Sequence, residues 1–181
     1  MNGEVIRHIP RFHTALAEWA ACFILILFLK KRFKGWKFVL IVILSLIIQS
    51  LWQYTAGKLP LAYWIPGMIF AVFLMWAFIF VACDVTALSA LYWCIHAFIM
   101  VEFAASFEWQ ITFYITSNLA LKHLVQQLIE YALLFVIYSV VFVLNYFLES
   151  RYMKNKTILE IRVRDLATVF GIALSVFVIS N

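Results

Sequence analysis

Between Glu102 and Gln110 the chain reads EFAASFEWQ, and here the residue types could do chemistry. Two carboxylates (Glu102, Glu108), a hydroxyl (Ser106) and an amide (Gln110) stand among Phe103, Phe107 and Trp109. In a helix, Glu102 and Ser106 share a face one turn apart, while Glu108 and Gln110 fall near the exit into an outer connection. Such a group suits a pocket for a peptide or another small amphipathic ligand, the rings giving contact area and the carboxylates orientation. The plainer alternative is that Glu102 pairs with a polar neighbour and Glu108 sits in water. Gln49 with Gln53 and Gln126 with Glu130 are polar pairs four residues apart, able to hydrogen-bond between helices or to line an outward-facing cavity. Glu18, early in the first apolar stretch, is expected to reach headgroup water.

Other chemistries find little support. His96, Glu102, His123 and Glu130 could meet in space, but no HExxH or equivalent spacing marks them as a metal set, and no metal is expected. A nucleophile with a positioned base, in a GxS or Ser/Lys pattern, is missing from the apolar stretches, as is a phosphate-binding GxxxxGK[ST] loop. An enzyme confined to these residues is therefore not expected, nor is a cofactor. Cys22, Cys83 and Cys94 lie in or beside apolar segments without a CxxC spacing and are expected as buried free thiols.

The elements that must position these groups are membrane spans. Hydrophobic residues make up 66% of the chain and charged ones 13%, against roughly 45–50% and ~25% in soluble domains. The expected fold is all-α, a polytopic transmembrane helical bundle of about six spans forming one domain over 1–181. The apolar blocks place the spans near 14–29, 38–55, 63–83, 85–107, 123–147 and 166–181, with Pro66 tolerable in the first turn of the third and a polar connection over 108–122. Of the 14 basic residues, five lie in Lys30–Lys37 and five in the stretch 149–165. These clusters fall on one side if the spans alternate, so the positive-inside rule makes that side cytoplasmic and the N-terminus external, in the plasma membrane of a cell. The net charge of +5 is thus spent on orientation, and no nucleic-acid partner is expected. The lipid bilayer is the expected partner.

The last span carries Ala167, Gly171 and Ser175 on one face, a helix-packing face inside the bundle or between subunits. From Leu166 to Asn181 it has sixteen residues, reaching only ~24 Å of a ~30 Å hydrocarbon core. It is therefore expected to be truncated, with a longer parent that needs a seventh span to reach a cytoplasmic domain.

EFAASFEWQ and the closing Ser180-Asn181 resemble the N-terminal membrane region of bacterial sensor histidine kinases of the GHKL type, in particular Firmicutes proteins related to Agr-type quorum-sensing receptors. The resemblance covers most of the chain in layout and only these stretches in letters. It implies a membrane sensor that detects an extracellular or membrane-borne signal and passes it to a cytoplasmic ATP-dependent histidine kinase, within a homodimer. ATP and Mg would act only in that missing kinase domain, and a response regulator would be met only through it. The phosphoacceptor segment is not among these residues, so none of His8, His13, His96 or His123 takes that role. The alternative is a small membrane transporter or a substrate-binding membrane subunit, for which broken helices and repeat symmetry are weak here.

Overall fold

The computed structural model describes residues 11–58, 60, 63–118, 123–154 and 163–180. Arg7, His8, Lys122, Asn181 and the 155–162 part of the second basic stretch lie outside these. Six helices follow one another: α1 (Arg11–Phe28), α2 (Trp36–Ala56), α3 (Trp64–Ala82), α4 (Ala87–Asn118), α5 (His123–Lys154) and α6 (Val163–Ser180). No strand element accompanies them among the described residues, so the chain is an all-α bundle. Four helices are long and apolar enough to cross a membrane, within 36–56, 65–82, 87–117 and 125–151; α1 is apolar but shorter. This is a membrane protein.

α1 is the axis of the bundle. It packs against α2, α3, α4 and α5, whereas α6 rests on α4 alone among the described residues. Small side chains make the central position possible: Ala15, Ala17, Ala21 and Cys22 are at most 5% exposed, and they let neighbouring helices approach closely. Leu25 and Ile26 continue the stripe into a core shared with Met75 and Ile79 of α3 and Cys94 and Ala97 of α4. All three cysteines are buried free thiols.

Two helices run further than their apolar blocks suggest. α4 continues eleven residues past Phe107, to Asn118, and α5 passes Phe147 to reach Lys154. The sequence has no Gly or Pro between Gly67 and Gly171, and polar side chains do not by themselves end a helix. Each of these helices has 32 residues, about 48 Å of rise, so each outruns the ~30 Å hydrocarbon core. Glu108, Trp109 and Gln110 are therefore helical residues, and so is Glu149.

At one end of the bundle the α1–α2 and α3–α4 connections are tied together. Lys31 and Cys83 form an isolated antiparallel bridge, in which the Arg32 amide donates to the Ala82 carbonyl at 2.9 Å and the Asp84 amide to the Lys30 carbonyl at 2.7 Å. Gly35, at φ 64°, makes the left-handed turn into α2 that a side chain would disfavour. Above the bridge Lys30 Nζ donates to Asp84 Oδ2 at 2.7 Å. The bond and the charge of Asp84 raise the pKa of Lys30, and the same bond and the charge of Lys30 lower that of Asp84. A lowered carboxylate stabilises the folded state above its unfolded pKa, near 4, and that contribution is lost as pH falls through the folded value; a raised lysine contributes below its unfolded pKa, near 10, and is lost as pH rises through the folded value. Both side chains are solvent-exposed, so the effect is small. Thermal melts in detergent should show a contribution from this pair that is constant from about pH 5 to 9 and fades in acid. Asp84→Asn should remove that acid limb, and a melt whose acid limb is unchanged by the substitution would exclude the pair as its source.

Candidate functional site

α2 is buried the wrong way round for a soluble helix. Val39, Leu40, Ile43, Leu44, Ile47 and Leu51 are exposed, while the residues it buries are Gln49 and Gln53. An apolar exterior with polar groups inside is the arrangement a hydrocarbon solvent demands. Both amides meet Glu18, which is 3% exposed near the middle of α1. Gln49 Nε2 donates to Glu18 Oε2, and Gln53 Nε2 donates to Oε2 at 2.9 Å and to Oε1 at 3.1 Å. Glu18 therefore does not reach headgroup water: it lies on the α1 face turned to α2. Beside it, Trp19 Nε1 is shared between the Val42 carbonyl at 3.2 Å and Ser45 Oγ at 3.1 Å, a second polar link between the same helices.

The EFAASFEWQ segment divides between the two faces of α4. Ala90, Cys94, Ala97, Val101, Ala104, Glu108 and Thr112 recur at helical spacing and are buried, so the helix carries Glu108 inward on its packing stripe. Glu108 is 1% exposed and accepts a hydrogen bond from Thr112 Oγ1 at 2.8 Å, one turn on. It is not in aqueous contact at a helix exit, because the helix does not exit there. Glu102 and Ser106 are half-buried, whereas Trp109 and Gln110 are exposed. Phe103 and Phe107 stack at 6.0 Å on the outer surface. The rings thus face away from Glu108 and do not enclose the two carboxylates together.

Across the bundle, Tyr138 of α5 is half-buried and packs against both hydrophobic clusters, the main one shared by α1, α3 and α4 and the smaller one of Ala104, Ile137 and Val141. On α5, Gln126 Nε2 donates to Glu130 Oε1 at 3.2 Å along the same helix. The polar site that sequence reasoning missed is at the opposite end of α5. His96 Nδ1 faces Glu149 Oε1 at 3.6 Å, beyond hydrogen-bond length, with Asn145 one turn before Glu149. His96 Nδ1, Asn145 Nδ2 and Glu149 Oε2 are buried without a hydrogen-bonding partner. The helical spacing of Asn145 and Glu149 was the available signal, hidden by ending the fifth span at Phe147.

Ala167, Gly171 and Ser175 are exposed, and nothing lies within 4 Å of a Cβ built on Gly171. Within the chain α6 instead buries Ala173, and Ser175 Oγ donates to the Gly171 carbonyl at 2.9 Å. The small-residue face therefore does not pack inside the bundle. Among the described residues no three His, Cys, Asp or Glu side chains gather as a metal set, and the His123 side chain lies outside them.

Comparison with protein-family models, curated proteins and solved structures finds no match. The buried polar contacts themselves are therefore the basis for a functional argument.

Removing a donor from a buried carboxylate costs more than removing the carboxylate with its donors, because the charge is left under-solvated. Gln49→Leu or Gln53→Leu should each destabilise the detergent-solubilised protein by about 1–2 kcal/mol. The triple change Glu18→Leu, Gln49→Leu, Gln53→Leu should cost less than the two single losses added together. Unfolding measured for all four proteins checks this, and strict additivity would show that the three side chains do not act together.

Proposed function

We propose that this chain is the membrane sensor region of a GHKL-type sensor histidine kinase, receiving an extracellular or membrane-borne signal and passing it to a cytoplasmic kinase domain. The observation that supports this reading is the pair of buried carboxylates, Glu18 held by Gln49 and Gln53 across the α1–α2 interface and Glu108 on the packing stripe of α4. Interior carboxylates are expensive to insert, at least ~2.5 kcal/mol for an acidic side chain at mid-helix, so their placement needs a return beyond packing. Polar contacts between helices provide one: two packings of the same helices can differ by a few hydrogen bonds, and a ligand preferring one packing shifts the balance. A tenfold preference corresponds to about 1.4 kcal/mol, within the range of a single buried contact.

In this role Glu108 and Glu102 set the helix arrangement that responds to signal, and Trp109 and Gln110 present the outer surface of the same segment. The N-terminus faces outward and the tied connections around Lys31 and Cys83 face the cytoplasm, in keeping with the basic cluster there. The exposed Ala167–Gly171–Ser175 face of α6 is available to a second copy in a homodimer. ATP and Mg act in the kinase domain and a response regulator is met only there.

Membranes from cells expressing the native gene test the reading. Radiolabelled ATP should place acid-labile phosphate on a histidine of the polypeptide that contains this chain. Glu108→Gln should change the basal level about three-fold or more, the effect of one altered buried contact. Absence of phosphohistidine, or solute counterflow by the protein in liposomes, would sink the sensor-kinase reading and favour a transporter.

A further inference from the structure

A half-open groove of about 460 Å³ runs between α1 and α5. His13 and Tyr131 stand at one end, with ring centroids 6.1 Å apart. From there Leu16 and Ala20 form the α1 wall and Phe135, Tyr138 and Phe142 the α5 wall. The mouth opens on the outer surface of the bundle, where Leu16 is 41% and Phe135 is 73% exposed. In a membrane protein that surface meets hydrocarbon, so the phase at the mouth of the groove is lipid chain and not water. The groove across α1, against α2 and α3, is less than half this size, about 210 Å³.

The dimensions and polarity of the larger groove both suit an amphiphile. From Tyr131 to Phe142 the α5 wall rises about 16 Å, close to the ~15 Å that one leaflet contributes to a ~30 Å hydrocarbon core. Leu134, Phe135 and Phe142 make most of that length apolar, with Tyr138 and Ser139 the polar lining residues between them, and the imidazole of His13 and phenol of Tyr131 that could meet a polar headgroup stand together at the end where α1 begins. We propose that this groove is a binding site for one acyl chain of a bilayer phospholipid, its glycerophosphate end at His13 and Tyr131 and its methylenes against Ala20 and Phe135. The chain then lies against the ring of Tyr138, which also packs against the core of the bundle. The site stands apart from the sensor role and does not depend on it.

The test uses the intact chain in nanodiscs of phosphatidylcholine and phosphatidylglycerol containing a phospholipid with a diazirine in its acyl chain. Irradiation and peptide mapping should place saturable labelling on Leu16, Ala20, Phe135 and Ser139, displaced by unlabelled phospholipid. Filling the groove with Ala20→Phe or Ser139→Trp should lower this labelling about tenfold, the effect of excluding roughly two methylenes. Val140→Phe, at an exposed α5 position outside the groove lining, should leave it unchanged. The map on the unaltered chain stands even if a groove-filling variant fails to fold. Labelling spread evenly over α2, α3 and α5, insensitive to Ala20→Phe and to unlabelled lipid, would overturn the site. So would disulfide formation between copies carrying Leu16→Cys and Phe135→Cys, which would assign the groove to a second copy of the chain.

Discussion

A carboxylate buried on the central helix constrains everything around it. Glu18 lies on α1 between helices and takes its hydrogen bonds from Gln49 and Gln53, one turn apart on α2. In hydrocarbon a helix is not driven against its neighbour by the exclusion of water, so apolar residues alone do not decide which face of α2 turns inward. The two amides decide it, since rotating α2 by half a turn would part both of them from Glu18 and expose them to lipid. The register of α1 against α2 is fixed by the same three side chains. The ladder of tied connections at Lys31 and Cys83 then sets the level of α3 and α4 relative to that pair.

Polar contacts inside the bundle differ in how well they are satisfied. Glu18 receives donors from across a helix interface, and Glu108 accepts from Thr112 of its own helix. His96, Asn145 and Glu149 retain unmatched buried atoms, each worth about 1–3 kcal/mol when left unpaired. The α1–α2 contact is thus the firm part of the interior, and the α4–α5 contact near Glu149 is held less tightly. α6 rests on α4 alone among the described residues.

The number of helices and their apolar character were legible in the sequence because long hydrophobic blocks separated by basic clusters admit few other folds. Pro66 in the first turn of α3 was legible too, since backbone chemistry is local. Helix ends were less so. Ending α4 at Phe107 treated the polarity of Glu-Trp-Gln as a stop signal, and that single step placed Glu108 in water when its spacing from Ala97, Val101 and Ala104 puts it on the buried stripe. The same step at Phe147 hid Glu149. Glu18 was misplaced for another reason: its partners are distant in sequence, and nothing local to α1 marks the face that α2 covers.

That distance has a consequence for how the protein is made. Glu18 enters the bilayer with α1, but Gln49 and Gln53 follow 31 and 35 residues later. Until they arrive, an acidic side chain at mid-helix disfavours leaving the translocation channel for lipid. Entry of α1 and α2 together, as a hairpin, would enclose the carboxylate from the start and avoid that cost. The residue that fixes the packing of α1 against α2 thus carries an insertion cost that falls on α1 alone and is relieved by the pair.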